Sequence, residues 1–226
     1  MPRSVSLIDY KVNQADFYLQ RLDEVCYDFF AAQCFCDAFT SACRSVTFAV
    51  QSVCKSIEGF EEWYAIEQNR MKNDPLLRFF HNYRTVSNHV GQTPVLAGFT
   101  DPNRKGAIKL SFMPTEGLLN PPDLDVQSAC SECFDKTLDL VFRLYEQFPT
   151  DLDDRWHYTE DNFADLGLTI EDAEEAFGLP RGWTQIEGTA EELTNRWSLL
   201  RITHTLGPEI QEVFSRRLDK TISGPD

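Results

Sequence analysis

The sequence predicts an all-α protein, and three observations lead to this class. Residues 13–57 contain neither proline nor glycine, and their apolar residues recur at helical spacing. The same spacing returns in residues 74–91 and about 124–148. The clearest strand-like run is the short AIKLSF at 107–112. We therefore expect a helical bundle with a short β-like insertion at about 93–122 and a small helical C-terminal extension.

The first long segment is expected to form two helices. Globular helices rarely extend over as many residues as 13–57, so we predict a break near Phe30–Gln33. Gly59 ends the segment, and Phe60–Lys72 is expected to continue as a further helical piece.

The segment that begins at Asp74 has the clearest helical signals of the chain. Asp74 is a good N-cap, and Pro75 suits the first helical position because its missing N–H would be unpaired there anyway. Gly91 is expected to end the helix. The apolar residues that step by three or four, and so predict the buried face, are Leu76, Phe79, Tyr83, Val86 and Val90.

The C-terminal third is expected to form a separate unit. Thr169–Asp172 and Thr189–Glu192 both resemble capping boxes, which predict helices at about 170–177 and 190–204. A last helix is expected at about 208–219. We therefore divide the chain into a helical bundle at 1–149 and an acidic linker with a small helical unit at 150–226.

The net charge of −15 argues against a broad nucleic-acid-binding surface, since phosphate contacts need Lys and Arg. The charge is unevenly distributed, however. Between Asp151 and Glu175 there are ten carboxylates and one arginine. The segment from Arg70 to Arg84 instead carries four cations and one acid, Asp74. This basic island could hold one phosphate group or a short single strand.

Location and metal binding follow from simpler features. No apolar run is long enough to span a membrane, and the first residues lack an apolar signal-peptide core, so we expect a cytoplasmic protein with reduced thiols. Cys130 and Cys133 have the spacing of half a zinc site. They also follow one apolar helix face, as Cys36 and Cys43 do, which favours core packing. We predict no metal and no cofactor.

Arg84 and His89 are the candidate catalytic pair. At 100° per residue they lie about 140° apart, on opposite sides of the buried face, so a single isolated helix does not make them neighbours. In a two-fold dimer, two copies of such residues can converge across the axis.

The surrounding pattern resembles the HEPN domains (higher eukaryotes and prokaryotes nucleotide-binding). These all-α bundles carry an Arg-x₄₋₆-His motif, commonly preceded by DPLL-x-FF. Here residues 74–80 read DPLLRFF, and Arg84 and His89 follow as Arg-x₄-His. The aromatic-acidic piece FEEWY at 60–64 is similar to what precedes that helix in some members.

The resemblance implies a metal-independent endoribonuclease that acts as a homodimer on single-stranded RNA, often as a toxin with an antitoxin or in defence. His89 would be the general base or acid at the ribose 2′-OH, and Arg84 would stabilise the phosphorane. We expect Asn88, His81 and Arg78 to contact substrate. A non-catalytic module that binds a nucleotide or a partner protein is the alternative, favoured by the acidic composition and by Thr85, where active members often carry Asn, Asp or His.

Overall fold

The chain is mostly helical, which confirms the all-α class. The computed structural model describes residues 5–25, 27–90, 94–100, 103, 108–185 and 190–225, without the side chains of 88–90, 96–97 and 190–195. These described residues form eleven helices and one two-stranded sheet. None of the helices in that part of the chain is both long enough and apolar enough to cross a membrane.

The chain divides into two compact units, Met1–Val141 (unit 1) and Phe142–Asp226 (unit 2). The boundary falls inside the helix α5, whose first part belongs to unit 1. The elements that begin in unit 1 are α1 (Ser6–Glu24), α2 (Phe29–Cys54), α3 (Phe60–Asn73), α4 (Pro75–Val90), β1 (Val95–Thr100), β2 (Ile108–Phe112) and α5 (Val126–Gln147).

The break in the first long helical segment lies earlier than the sequence analysis placed it. α1 ends at Glu24 and α2 begins at Phe29, so the predicted break near Phe30–Gln33 is wrong. Asp28 explains the difference because its carboxylate accepts a hydrogen bond from the Ala31 N–H (3.0 Å) and caps α2.

The core of unit 1 forms around α2, which packs against α1 and α4, while α3 packs against α4. Phe39 of α2 is fully buried and meets Phe80 of α4 and Phe134 of α5 edge to face, with ring centroids 6.3 and 6.4 Å apart. These contacts hold one side of α4 against the bundle.

The predicted β-like insertion is a two-stranded antiparallel hairpin. β1 and β2 pair in a register that places Gly98 opposite Leu110 and Thr100 opposite Ile108. Phe112 of β2 packs against Phe79 of α4, with ring centroids 4.9 Å apart. The hairpin therefore covers part of the buried face of α4.

Unit 2 contains short helices followed by longer ones. Thr169 and Asp172 form the predicted capping box, whereas the second predicted box lies outside the described residues because Thr189 does. Phe163, Ile170 and Trp197 belong to the hydrophobic cluster that holds the unit together. The remaining helices are α6 (Pro149–Leu152), α7 (Asp154–His157), α8 (Glu160–Asp165), α9 (Ile170–Ala176), α10 (Ala190–His204) and α11 (Gln211–Leu218).

Candidate anion-binding site

The start of α4 is fixed by Asp74. One carboxylate oxygen of Asp74 accepts hydrogen bonds from the N–H groups of Leu76 (2.9 Å) and Leu77 (3.0 Å), as predicted for an N-cap. The other oxygen accepts from Nζ of Lys136 on α5 (2.6 Å). Burial alone would raise the pKa of Asp74, but the hydrogen bond from Lys136 and those from the backbone lower it below its ordinary value. The first turn of α4 is therefore tied to α5.

The apolar face of α4 is buried as the sequence predicted. Leu76, Phe79, Tyr83 and Val86 are all buried, while the side chain of Val90 lies outside the described residues. Tyr83 is completely inaccessible, and its hydroxyl donates to the Asp37 carboxylate on α2 (2.5 Å). This face anchors the helix.

The candidate site residues of α4 are more exposed than its apolar face. Arg78 and His81 are exposed, and Arg84 is half-buried. The Nε atom of Arg84 is shielded from solvent and has no hydrogen-bond partner among the described residues. A buried donor without an acceptor is unfavourable. An anion that binds here would supply the missing acceptor for the Nε of Arg84.

A residue that the sequence analysis did not identify lies beside Arg84. Arg44 on α2 is half-buried, donates from Nη1 to the hydroxyl of Thr47 (3.0 Å), and lies over the ring of Phe48, 4.4 Å from its centroid. The pKa of Arg44 is lowered mainly by burial and also by the positive charge of Arg84, although Tyr64 opposes the shift. Two guanidinium groups therefore lie close enough to repel each other.

Arg44, Lys72, Arg78 and His81 line one pocket, the basic pocket, of about 290 Å³ between α2, α3, α4 and α5. Among the described residues that line it there is no Asp or Glu. Nor does any carboxylate among the described residues form an ion pair with these cations or with Arg84. The pocket is therefore positively charged in a protein whose net charge is −15.

The inner wall of the basic pocket is largely apolar. Phe80, Leu77 and Met71 contribute to it, together with the thiols of Cys43 and Cys133. Cys43 and Cys133 hydrogen-bond to each other, and burial followed by this contact raises the pKa of Cys43 well above its ordinary value. Cys43 is therefore a neutral thiol in the wall of the pocket.

The four predicted core cysteines are indeed buried. Cys36 and Cys130 lie with their sulfur atoms 3.9 Å apart, and Cys43 and Cys133 form the second pair between α2 and α5. This confirms the packing interpretation of their spacing. Within the described part of the chain, no group of three or more His, Cys, Asp or Glu side chains is placed to hold a metal ion.

Tyr64 on α3 adds a polar group to the wall. Its hydroxyl accepts a hydrogen bond from Nε2 of Gln51 (2.9 Å) and also contacts Gln68 and Thr47. Burial raises the pKa of Tyr64 despite these contacts and the nearby Arg44, so the phenol stays protonated at neutral pH.

The structure thus brings together some of the predicted site residues. Arg78 and His81 share the basic pocket, and Arg84 lies beside Arg44. Asn88 and His89 belong to the last turn of α4, but their side chains lie outside the described residues. Sequence reasoning missed Arg44 because a single arginine within the apolar pattern of α2 gives no sign of the residues that the fold brings near it.

Comparison with known proteins finds a family resemblance. The model of a family described as bacteriophage lambda protein ea47 matches residues 7–93. This range includes α2, α3, α4 and nearly all of α1, and so three of the four helices that form the basic pocket. No curated protein and no solved structure matches the chain significantly. The chain is thus similar to the ea47 family over its first four helices.

Proposed function

We propose that unit 1 is a HEPN-like module that cleaves single-stranded RNA without a metal ion, with Arg84 and His89 in the catalytic roles. The observation that carries this proposal is the cationic side of α4. Arg78 and Arg84 have no carboxylate partner among the described residues, and the Nε of Arg84 has no acceptor there. Phosphate oxygens are well matched to guanidinium groups, which bind them through two parallel hydrogen bonds.

The reaction needs only groups that the chain and RNA supply. His89 removes the proton from a ribose 2′-OH, and the 2′-oxygen forms a bond to the adjacent phosphorus. The bond from phosphorus to the 5′-oxygen then breaks, and that oxygen takes up a proton from water, while the protonated His89 returns its proton to the solvent. The products are a 2′,3′-cyclic phosphate and a 5′-hydroxyl. Arg84 stabilises the additional negative charge of the phosphorane.

Substrate contacts are assigned to exposed groups on the same helix. Arg78 and His81 precede Arg84 by six and three residues, and both are accessible to a strand that follows α4. Asn88 is proposed to make a further polar contact beside His89. Because Arg84 and His89 lie on opposite sides of the buried face, we propose a homodimer in which the residues of two copies complete each cleft.

The experiment is to incubate the purified protein with mixed single-stranded RNA in EDTA. We expect cleavage with 2′,3′-cyclic phosphate ends, and at least a ~100-fold lower rate for the Arg84→Ala and His89→Ala variants, as for loss of a general acid–base group. Arg21→Gln is the matched control because Arg21 pairs with Glu24 on α1, outside the basic pocket. Cleavage that survives in His89→Ala would contradict the proposal.

The alternative is a non-catalytic module of the same fold that binds a nucleotide or a protein partner such as an antitoxin. The basic pocket favours this second candidate, since it offers positive charge and an apolar wall for binding without requiring His89. Wild-type protein that binds RNA but leaves it intact would support the binding module over the ribonuclease.

A further inference from the structure

We propose that the basic pocket is a binding site for a small phosphate monoester whose organic part carries hydrogen-bond donors, as a nucleoside monophosphate does. This inference goes beyond RNA cleavage, because it depends on Arg44, Lys72 and the wall of the pocket and makes no use of His89. It would assign unit 1 a small-molecule ligand in addition to RNA.

The first argument is charge. Arg44, Lys72 and Arg78 come from three different helices and line one pocket, with no carboxylate among its described lining residues. Arg84 adds a further charge that acts on Arg44. Bringing like charges together is unfavourable in itself, and an acidic protein has many carboxylates that could neutralise them. An anion with two negative charges, such as a phosphate monoester, matches this surplus.

The second argument is size. A pocket of about 290 Å³ lies at the lower end of the range for small-molecule sites, roughly 300–1,000 Å³. A single phosphate ion would leave the apolar wall of Phe80, Leu77 and Met71 uncovered. The organic part of a monoester would cover these side chains and gain from burying apolar surface. The pocket therefore fits a phosphate that is joined to a compact organic group.

The third argument concerns hydrogen bonds inside the pocket. Thr40 donates its hydroxyl proton to the Cys36 carbonyl oxygen (2.8 Å), and Thr137 donates to that of Cys133 (2.9 Å). Both threonines are buried and line the pocket. Because their protons are already used, their hydroxyl oxygens can only accept from a ligand. A ligand with N–H or O–H donors meets this requirement, whereas one that carries acceptors alone does not.

The test is isothermal titration calorimetry of the full chain with AMP, adenosine, ribose 5-phosphate and inorganic phosphate. We expect AMP to bind tightest, and adenosine to bind at least tenfold more weakly because charge-assisted hydrogen bonds to the phosphate are lost. Arg44→Gln and Arg78→Gln should each weaken AMP binding about tenfold or more. Arg78 is exposed, so its replacement keeps the test valid even if Arg44→Gln impairs folding.

Two further variants sharpen the interpretation. Thr137→Val, which removes the hydroxyl oxygen that accepts from the organic part of the ligand, should weaken AMP binding but leave the binding of inorganic phosphate unchanged. Arg21→Gln, which changes a guanidinium outside the pocket, should bind AMP as the wild type does.

The outcomes separate this proposal from the ribonuclease proposal. His89→Ala should lose RNA cleavage yet keep AMP binding, so either proposal can fail alone. The ligand proposal is overturned if no phosphate monoester binds, or if Arg44→Gln and Arg78→Gln both bind AMP as tightly as wild type. If inorganic phosphate binds as tightly as AMP, the organic part of the ligand adds nothing to the affinity, and that part of the proposal is overturned.

Discussion

Arg196 in unit 2 is buried and Arg44 in unit 1 is half-buried, and their electrostatic surroundings differ. Arg196 donates from Nη2 to Glu171 (2.9 Å) and from Nε to the hydroxyl of Thr184 (3.0 Å), with Glu174 3.4 Å away. Arg44 has a threonine hydroxyl, an aromatic ring and a second arginine near it. A buried charge with carboxylate partners supports the fold, whereas a half-buried charge that lacks a carboxylate partner is better explained by binding.

Glu174 shows how completely the unit 2 network is satisfied. Its side chain is inaccessible and accepts from the Thr184 N–H (2.7 Å), the Thr184 hydroxyl (2.5 Å) and the Gly182 N–H. Burial alone would raise the pKa of Glu174, but the hydrogen bonds from Thr184 and Gly182 and the charge of Arg196 lower it. The carboxylate therefore remains ionised and joins α9 to the turn that follows and to α10.

The largest expected effect comes from breaking this network. Glu174→Ala should lower the free energy of unfolding by about 3–5 kcal/mol, because it leaves Arg196 buried with a lost partner. Urea unfolding followed by circular dichroism measures it. Glu175→Ala is the control, since Glu175 is more than half exposed and pairs with exposed Arg181. Equal, small losses in both variants would contradict the claim that the buried charges of unit 2 stabilise its fold.

The second effect tests the two sides of α4. Tyr83→Phe removes the hydrogen bond to Asp37, so the free energy of unfolding should fall by about 1–3 kcal/mol. Arg84→Gln, one residue later, should not destabilise the protein in the same urea experiment, because Arg84 has no carboxylate partner among the described residues. A larger loss for Arg84→Gln than for Tyr83→Phe would assign Arg84 to the core.

The third effect is a pH dependence at the start of α4. Asp74→Ala should cost about 1 kcal/mol, the usual value for loss of an N-cap. Because the pKa of folded Asp74 is lowered, its ionised form stabilises the fold above the ordinary carboxylate pKa of about 4, and this contribution is lost as pH falls through the lowered value.

Asp74→Asn separates the two roles of Asp74, since asparagine caps helices well but does not ionise. Urea unfolding at a series of pH values should show a smaller acid-induced loss of stability in Asp74→Asn than in the wild type. The same loss in both proteins would mean that the Lys136 contact contributes nothing.

The smallest effect on stability is expected for Arg78→Gln. Arg78 is exposed and unpaired among the described residues, so the change in unfolding free energy should stay within about 0.5 kcal/mol. RNA binding, measured by fluorescence anisotropy, should nevertheless weaken and depend less steeply on salt concentration, because one phosphate contact is lost. An unchanged salt dependence would exclude Arg78 from the RNA-binding surface.

Local signals in the sequence predicted much of the fold. The cap at Asp74, the buried face of α4 and the capping box at Thr169 depend on residues a few positions apart, and all three are confirmed. The break between α1 and α2 was misplaced because the apolar pattern continues through it and gives no clear boundary. The boundary is set instead by Asp28, which caps α2.

The candidate site could be predicted only in part, because it depends on distant segments. Arg78, His81 and Arg84 share one helix, so their spacing was visible in the sequence. The approach of Arg44 to Arg84, and of Thr40 and Thr137 to one pocket, results from the packing of α2 against α4 and α5. Charge counts predicted a basic island but not the α2 arginine that extends it.

The central claim is that Arg84 acts in RNA cleavage and contributes little to the stability of the fold. The most direct test measures RNA cleavage in EDTA and the free energy of unfolding on the same preparations of wild type, Arg84→Gln and Arg84→Lys. We predict that Arg84→Gln loses cleavage, that Arg84→Lys keeps a small part of it through its charge, and that neither variant is destabilised. Cleavage at the wild-type rate in Arg84→Gln, or a loss of stability as large as that of Glu174→Ala, would contradict the account.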